Sequence, residues 1–371
     1  MALNKIKILY TIPNFNTAGS GKVVYDLVKG LDKTRFEPEI LVKHTRGEFF
    51  KEVEKLGVPI HVFNYETDYY PLWSFPRRLW KVVRFFKGLD VDIIHSWHWS
   101  SDFSEPLAAR LAGKSFIYTK KAMGWGNKAW IWRSKLSHHV IAINKAMMTE
   151  FFGNSSHIKA TYLPLGLDTE VYKPRPYNQV IADQYDFQKT DFVVISVVNM
   201  VEVKGIEILI EAVIQSQIPN IKLLLVGNDQ TDYVNRLRAE YKMNSNIIFT
   251  GKQAKVQNFL SVADVFVIPT KNEGKREGMP MAPVEAMAMG IPVIGSRIAG
   301  IEDILEGFDE WLFEASYVEG LKNLLEKAYQ LPKDDLLKIG MQMHYKVMNS
   351  YNLSKFITAS ENFYKKIYHD Y

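Results

Sequence analysis

The sequence predicts an α/β protein made of two Rossmann-like domains, each a parallel sheet with helices on both faces. Three observations carry that prediction. Short apolar runs alternate with amphipathic stretches of helical character along nearly the whole chain, the pattern of repeated β-α units. The alternation breaks at Leu163–Pro176, where LPLGLDTEVYKPRP places three Pro and one Gly in a turn-rich stretch, and then restarts. The length of 371 residues is too great for one ordinary core and suits two domains of roughly 170 to 200 residues.

The elements follow in order. Ile6–Ile12 reads as a strand and Gly21–Leu31 as the helix after a small-residue turn. Glu39–Lys43 and Ile60–Phe63 read as further strands, Pro76–Leu89 as a helix, and Asp92–His95 as the start of another strand. Beyond the break, Phe192–Val198 and Lys222–Val226 read as strands, with helices at Gly205–Gln215 and Tyr233–Tyr241. The pattern continues through Ile247–Thr250, Val256–Val262, Val265–Pro269, Ala282–Met289 and Pro292–Gly295. The expected division is 1–170, 171–350, and a C-terminal helix in 351–371 that packs back on the first domain. The two domains are expected to face each other across a cleft, hinged near Pro164–Pro176.

Composition narrows the setting. Cys is absent, which excludes disulfides and thiolate chemistry and fits a reducing cytoplasm. The N-terminus runs straight into IKILYTI without a signal-peptide pattern, and no apolar run approaches the roughly 20 residues that span a bilayer. The expected location is cytoplasmic, at the inner face of the membrane. Residues 1–175 hold 26 Lys and Arg against 16 Asp and Glu, a balance of +10, whereas the remainder has 20 against 25, or −5. A basic half joined to an acidic half points to an anionic partner for the first half.

The chemistry-bearing segment is Glu273–Ile304. Glu277 and Glu285 lie eight apart in EGMPMAPVEAMAMGIPVIG, with Gly278 and Pro280 between them and an Ala/Met-rich helix starting near Ala282. The order strand, irregular loop, helix places this loop at the carboxyl edge of a parallel sheet, where ligands bind. Free amides at the helix start suit a phosphate. Glu285, about one turn inside the helix, suits a ribose diol, and Glu277 in the loop suits a sugar hydroxyl.

The segment resembles the donor-binding motif of the retaining glycosyltransferases of family 4, which runs Glu-Gly, six residues, Glu-Ala, then a Gly-x-Pro-Val strand. Glu277, Gly278, Glu285, Ala286, Gly290, Pro292 and Val293 match it, as does Gly300 in the following turn. Other landmarks fall in the family's order. Ala18-Gly19-Ser20-Gly21-Lys22 resembles its first Gly-rich loop, where small residues let a ligand approach the backbone. Asp92–His95 resembles its fourth-strand motif, Leu163–Asp168 its interdomain turn, and Val198–Gly205 its diphosphate loop, with Lys204 and Gly205 matching. Two positions depart. Asn199 stands where the family usually has Arg, so it donates hydrogen bonds without neutralising charge. Thr119-Lys120-Lys121 stands where many relatives carry a His near the reacting sugar.

The resemblance implies a GT-B fold and transfer of a sugar, with retention, from a UDP- or GDP-linked donor to a glycan or lipid-linked acceptor of surface polysaccharide or lipopolysaccharide synthesis. It assigns Glu277 and Lys204 to catalysis. Asn199, Gly278, Met279, Pro280, Met281, Glu285, Gly19 and Ser20 go to the donor and Lys121 to the acceptor side, while His98, at the carboxyl end of its strand, reads either as an acceptor-side polar group or as a structural histidine, the first being favoured. A sugar-nucleotide epimerase or a catalytically weak binding subunit of the same fold are the alternatives.

No metal and no separate cofactor are expected. Asp90-Val91-Asp92 spells an Asp-x-Asp but leads into a buried-looking strand and reads as a helix–strand turn, and His95, His98 and Asp102 lack a familiar ligand spacing. The basic amphipathic stretch Pro76–Lys87 reads either as a sheet-packing helix with a solvated face or as a peripheral contact with anionic lipid. Trp125–Arg133 is a second aromatic and basic patch, suited to stacking against sugar rings. No recognition motif accompanies the charge, so nucleic acid is not an expected partner.

Overall fold

The computed structural model describes residues 5–16, 19–125, 127–153, 157–274 and 278–370. The chain divides into two compact units, one formed by Met1–Gly166 with Leu353–Tyr371 and the other by Leu167–Asn352.

The first unit holds seven parallel strands: β1 (Ile6–Thr11), β2 (Phe36–Val42), β3 (Ile60–Val62), β4 (Ile93–Ser96), β5 (Ser115–Lys120), β6 (His139–Ala142) and β7 (Ala160–Tyr162), in the order β3-β2-β1-β4-β5-β6-β7. Strand order reverses between β1 and β4, so the loops after these two strands diverge and leave a crevice at the carboxyl edge. The central strands are covered on both faces. Ile8, Leu9, Ile93, Ile94, Phe116 and Ile117 have no exposure, which is why they read as continuous apolar runs.

The second unit holds six parallel strands: β8 (Phe192–Val197), β9 (Ile221–Val226), β10 (Ile247–Gly251), β11 (Val265–Ile268), β12 (Val293–Ser296) and β13 (Leu312–Phe313), in the order β10-β9-β8-β11-β12-β13. Here the reversal falls between β8 and β11. Both sheets are therefore of the doubly wound type that the sequence predicts.

The C-terminal helix Leu353–Asp370 belongs to the first unit, and a buried polar chain joins it to the sheet. The Tyr10 hydroxyl donates to the Tyr364 oxygen at 3.1 Å. That leaves the Tyr364 proton for Nδ1 of His95 at 2.8 Å, so Nε2 carries the ring proton toward Thr119 Oγ1, also at 2.8 Å. Burial presses the pKa of His95 down to about 3. The histidine is a neutral core group, satisfied at both nitrogens.

Candidate active site

In the second unit, three segments meet at the carboxyl edge of β8 and β11. After β8 the chain exposes Asn199, whose carbonyl accepts the Val201 amide at 2.9 Å, then buries Met200 and enters a 3-10 turn at Glu202–Lys204. Lys204 is 6% exposed. Gly205 ends that turn with φ +64° and opens the helix Ile206–Gln215. A Cβ there would lie 2.2 Å from the Pro269 carbonyl oxygen, so glycine is what lets this turn sit against the end of β11. The Lys271 amide completes the contact by donating to the Val203 carbonyl at 2.8 Å.

The loop after β11 carries the motif. Glu277 lies outside the described residues. Gly278, Met279 and Pro280 are buried and lead into the helix Met281–Ala288. Gly300, in the turn after β12, has φ +83°, and a Cβ on it would lie 2.1 Å from the Gly278 carbonyl oxygen. The Gly278 loop thus rests directly on the Gly300 backbone. Met281 and Ala282 supply unpaired first-turn amides, while Pro283 has none to give. Glu285 sits half-buried one turn further, and burial together with the Glu285 charge pushes the Tyr172 phenol well above its ordinary range. Tyr172, Lys271 and Glu207 are absent from the sequence reading. Lys271 pairs with Glu207, which also accepts the Tyr233 hydroxyl, so its charge is spent within the protein.

The carboxyl edge of the first unit gathers a second set. Ser20, in the first turn of the helix Gly19–Gly30, accepts from Lys121 Nζ at 2.8 Å, and Lys121 also donates to the Trp97 carbonyl. Burial, aided by the Arg133 charge, lowers the Lys121 pKa to about 8. His98 follows β4, as the sequence reading places it, with Nδ1 2.5 Å from Glu66 Oε1. The other Glu66 oxygen accepts from Lys43 Nζ. Burial works against ionisation of Glu66, but His98 and Lys43 outweigh it and hold the carboxyl at about 2. Sequence reasoning missed Lys43 and Glu66. Lys43 directly follows β2 and Glu66 lies in the loop after β3, so the edge rule applied to every strand would have flagged both.

Beneath this edge lies a fully buried ion pair. Arg133 and Glu105 meet at 2.9 Å with no side-chain exposure. Glu105 also accepts from Thr11 and Ser96, while Arg133 donates to the Asp102 carbonyl and Ser96. The ends of β1 and β4 are thereby tied to the helices Ser104–Leu111 and Trp130–Leu136.

Two sequence expectations change. Trp125 cannot stack on a sugar, because Lys120 covers one face at 3.7 Å and Trp130 stacks on the ring at 4.9 Å. Trp132, 61% exposed, is the accessible aromatic of that patch. Arg78 does not belong to a solvated face: it clamps the preceding loop through Thr67, Ser74 and the carbonyls of Asp68 and Tyr70. Tyr70, Leu72 and Trp73 project from that loop at 65%, 62% and 86% exposure, next to the exposed Arg77, Trp80, Lys81, Arg84 and Lys87 of the helix Phe75–Gly88. Asp90 and Asp92 lie at the amino edge, where Lys7 pairs with Asp90 and its amide donates to Asp92 at 2.8 Å. Among the described residues, no three His, Cys, Asp or Glu side chains group as a metal site, and no helix is long and apolar enough to cross a membrane.

Residues 17–171 match the family model Glycosyltransferase Family 4, and residues 178–340 match Glycosyl transferases group 1. WcaL of Escherichia coli K12, described as a colanic acid biosynthesis glycosyltransferase, is 29% identical over 200 residues, 51% of this chain and 46% of its own. The matches to the first such relatives span about half of those proteins' length. An Escherichia coli UDP-Gal:alpha-D-GlcNAc-diphosphoundecaprenol alpha-1,3-galactosyltransferase is 24% identical over 315 residues, 78% of this chain and 79% of its own. HepE of Anabaena, solved in complex with UDP-glucose, superposes with a TM-score of 0.81 over 97% of this chain and 100% of HepE, at 19% identity, which shows a shared fold. The two family models cover both units with their sequence landmarks in order, and the chain belongs to the family 4 glycosyltransferases of GT-B fold.

Proposed function

We propose that this chain is a retaining glycosyltransferase. It moves a hexose from a UDP- or GDP-linked donor on the second unit to a glycan or lipid-linked acceptor on the first, in surface polysaccharide or lipopolysaccharide synthesis. The observation that carries the reading is the meeting of the Lys204 turn, the Gly278–Pro280 loop and the Glu285 helix at one point of sheet reversal. HepE, which shares the fold, binds UDP-glucose, and the galactosyltransferase relative is named for a diphosphoundecaprenol-linked acceptor.

In this reading the bond from the anomeric carbon to the donor phosphate breaks as the acceptor oxygen bonds to the same face of that carbon. The acceptor's proton passes to the departing phosphate oxygen. Negative charge grows on the diphosphate, and Lys204 with the backbone amides of Gly278, Met279 and Met281 stabilises it, without a divalent metal or separate cofactor. Asn199 adds a hydrogen bond but no charge. Glu285 holds the ribose and Glu277 holds the transferred sugar through its motif position, and Gly19 and Ser20 are assigned to the donor through the resemblance of their Gly-rich loop. His98 and Lys121 serve the acceptor.

The exposed Tyr70, Leu72, Trp73 and Trp80, beside Arg77, Lys81, Arg84 and Lys87, suit an anionic bilayer at the cytoplasmic face, and residues 71–89 contain no acidic side chain. Co-sedimentation with anionic vesicles should fall when Trp73 and Trp80 become Ser. Unchanged sedimentation would refute this contact.

The test of the reaction is transfer from UDP-glucose, UDP-galactose, UDP-N-acetylglucosamine or GDP-mannose to an undecaprenyl-diphosphate-linked sugar, with and without EDTA, followed by proton NMR. A product with the donor's anomeric configuration at an EDTA-independent rate is expected. An inverted product would exclude retention, and isomerised sugar nucleotide formed without acceptor would identify an epimerase.

A further inference from the structure

We infer that Glu66 is a positioning residue for the acceptor: it holds His98 as the Nδ1–H tautomer, so that Nε2 offers its lone pair to a hydroxyl of the acceptor sugar. This deepens the acceptor role given to His98 above and rests on it. Glu66 lies in the loop after β3, and the order β3-β2-β1-β4 carries that loop past the ends of two strands to reach His98 after β4. The loop is anchored beside the contact, since the Thr67 amide donates to Ser104 Oγ at 2.9 Å and Arg78 Nε donates to Thr67 Oγ1 at 3.0 Å. Each Glu66 oxygen has its own partner, Oε1 meeting His98 Nδ1 at 2.5 Å and Oε2 accepting from Lys43 Nζ. The buried Tyr65 ring stands perpendicular to the imidazole, with centroids 6.2 Å apart. His95 spends both ring nitrogens in the core, whereas His98 keeps 17% of its side chain exposed and its Nε2 has no hydrogen-bond partner among the described residues.

Against the effect of burial, His98 and Lys43 keep Glu66 ionised. An ionised carboxylate only accepts hydrogen bonds, so the proton in the contact belongs to Nδ1. In a neutral imidazole the second nitrogen is then an acceptor, and a fixed ring aims it in one direction. Glu66→Gln reverses the arrangement at nearly constant shape. Lys43 has donors only, so it keeps the amide oxygen and turns the NH2 toward His98. Nδ1 must then accept, and the ring proton moves to Nε2. A merely structural Glu66 would change stability on substitution, without governing which nitrogen of His98 is protonated or separating acceptor from donor kinetics.

The experiment has two readouts, both on the full chain. Nitrogen-15 spectra of the histidines are recorded at about pH 8, above the ordinary imidazole range, with the His98 signals identified by their loss in His98→Ala. They should show Nδ1–H in the wild type and Nε2–H in Glu66→Gln. A wild-type His98 that is Nε2–H or an imidazolium, or a tautomer unmoved in Glu66→Gln, would overturn the role of Glu66. Transfer to undecaprenyl-diphosphate-linked N-acetylglucosamine is then measured with UDP-glucose, UDP-galactose, UDP-N-acetylglucosamine or GDP-mannose. Glu66→Ala and His98→Ala should each raise the acceptor KM roughly 3- to 10-fold, the worth of one hydrogen bond, and leave the donor KM unmoved. In the His98→Ala background Glu66→Ala should do nothing further. Additive losses, or an equal rise in the donor KM, would also overturn the positioning role. A His98→Ala enzyme with wild-type acceptor KM, or a wild type that transfers nothing, would instead overturn the acceptor reading, and the part of Glu66 in it, whatever the tautomer.

Discussion

Replacing Gly300 by Ala tests whether the Gly278 loop takes its position from the turn after β12. The added Cβ would lie 2.1 Å from the Gly278 carbonyl oxygen, whereas ordinary contact begins at 3.4 Å, so backbone must move by about 1.3 Å. The residue also has φ +83°, which costs a side chain with a Cβ roughly 1–2 kcal/mol. Against a domain stability of about 5–15 kcal/mol the second unit should still fold. The Gly278, Met279 and Met281 amides would then be displaced by about an ångström, and a misplacement of that size costs on the order of 100-fold in rate. Gly307 is the control, because its φ is +86° and nothing lies within 4 Å of a Cβ there. Gly307→Ala should show the backbone cost as a lowered melting temperature with transfer intact, and Gly300→Ala should lose transfer and nucleotide affinity as well. A Gly300→Ala enzyme with wild-type turnover and UDP affinity would refute the reasoning.

Other outcomes follow from the same geometry. Arg133→Met leaves Glu105 buried and uncompensated, so urea unfolding of the first unit should show a loss of about 3–5 kcal/mol, much of it recovered when Glu105→Leu is added; a loss below about 1 kcal/mol would show that the pair is not what holds the edge. His95 is neutral in the fold with its pKa near 3, whereas in the unfolded chain it titrates near 6.5. Below pH 6.5 the unfolded state therefore binds a proton that the folded state refuses, and stability should fall by up to about 1.4 kcal/mol per pH unit until pH 3. That slope should be missing from a His95→Gln variant, and its persistence there would assign the effect elsewhere. Lys204→Ala should lower kcat by roughly 100- to 1000-fold with a smaller change in acceptor KM, since its charge acts on the breaking bond; a change confined to acceptor KM would remove Lys204 from the donor site.

The doubly wound architecture was legible because buried parallel strands leave continuous apolar runs, as in FVVISV of β8, and because the break at Leu163–Pro176 is written in Pro and Gly. The reading picked out four of the seven strands of the first sheet and five of the six in the second. It passed over β5, β6 and β7, of which β6 is four residues long and β7 only three half-buried ones, too short for a periodic signal. Motif positions were equally legible, since Lys204, Gly278 and Glu285 lie in contiguous segments. Their partners were not. Glu66 reaches His98 across 32 residues, and Lys271 reaches Glu207 from beyond three strands, pairings that only sheet order creates. Trp125 failed for a related reason: its composition suits sugar stacking, but tertiary packing had already used both faces.

The central claim is that the second unit binds a sugar nucleotide through the Lys204 turn and Glu285. Its most direct test is a thermal-shift titration against UDP, GDP, CMP and their common sugar conjugates, repeated with Glu285→Ala. Stabilisation by UDP or GDP and its conjugates, lost in the variant, is the predicted result. Absence of stabilisation by any of them in the wild type would contradict the claim and make Asn199 the mark of a fold that no longer holds a diphosphate.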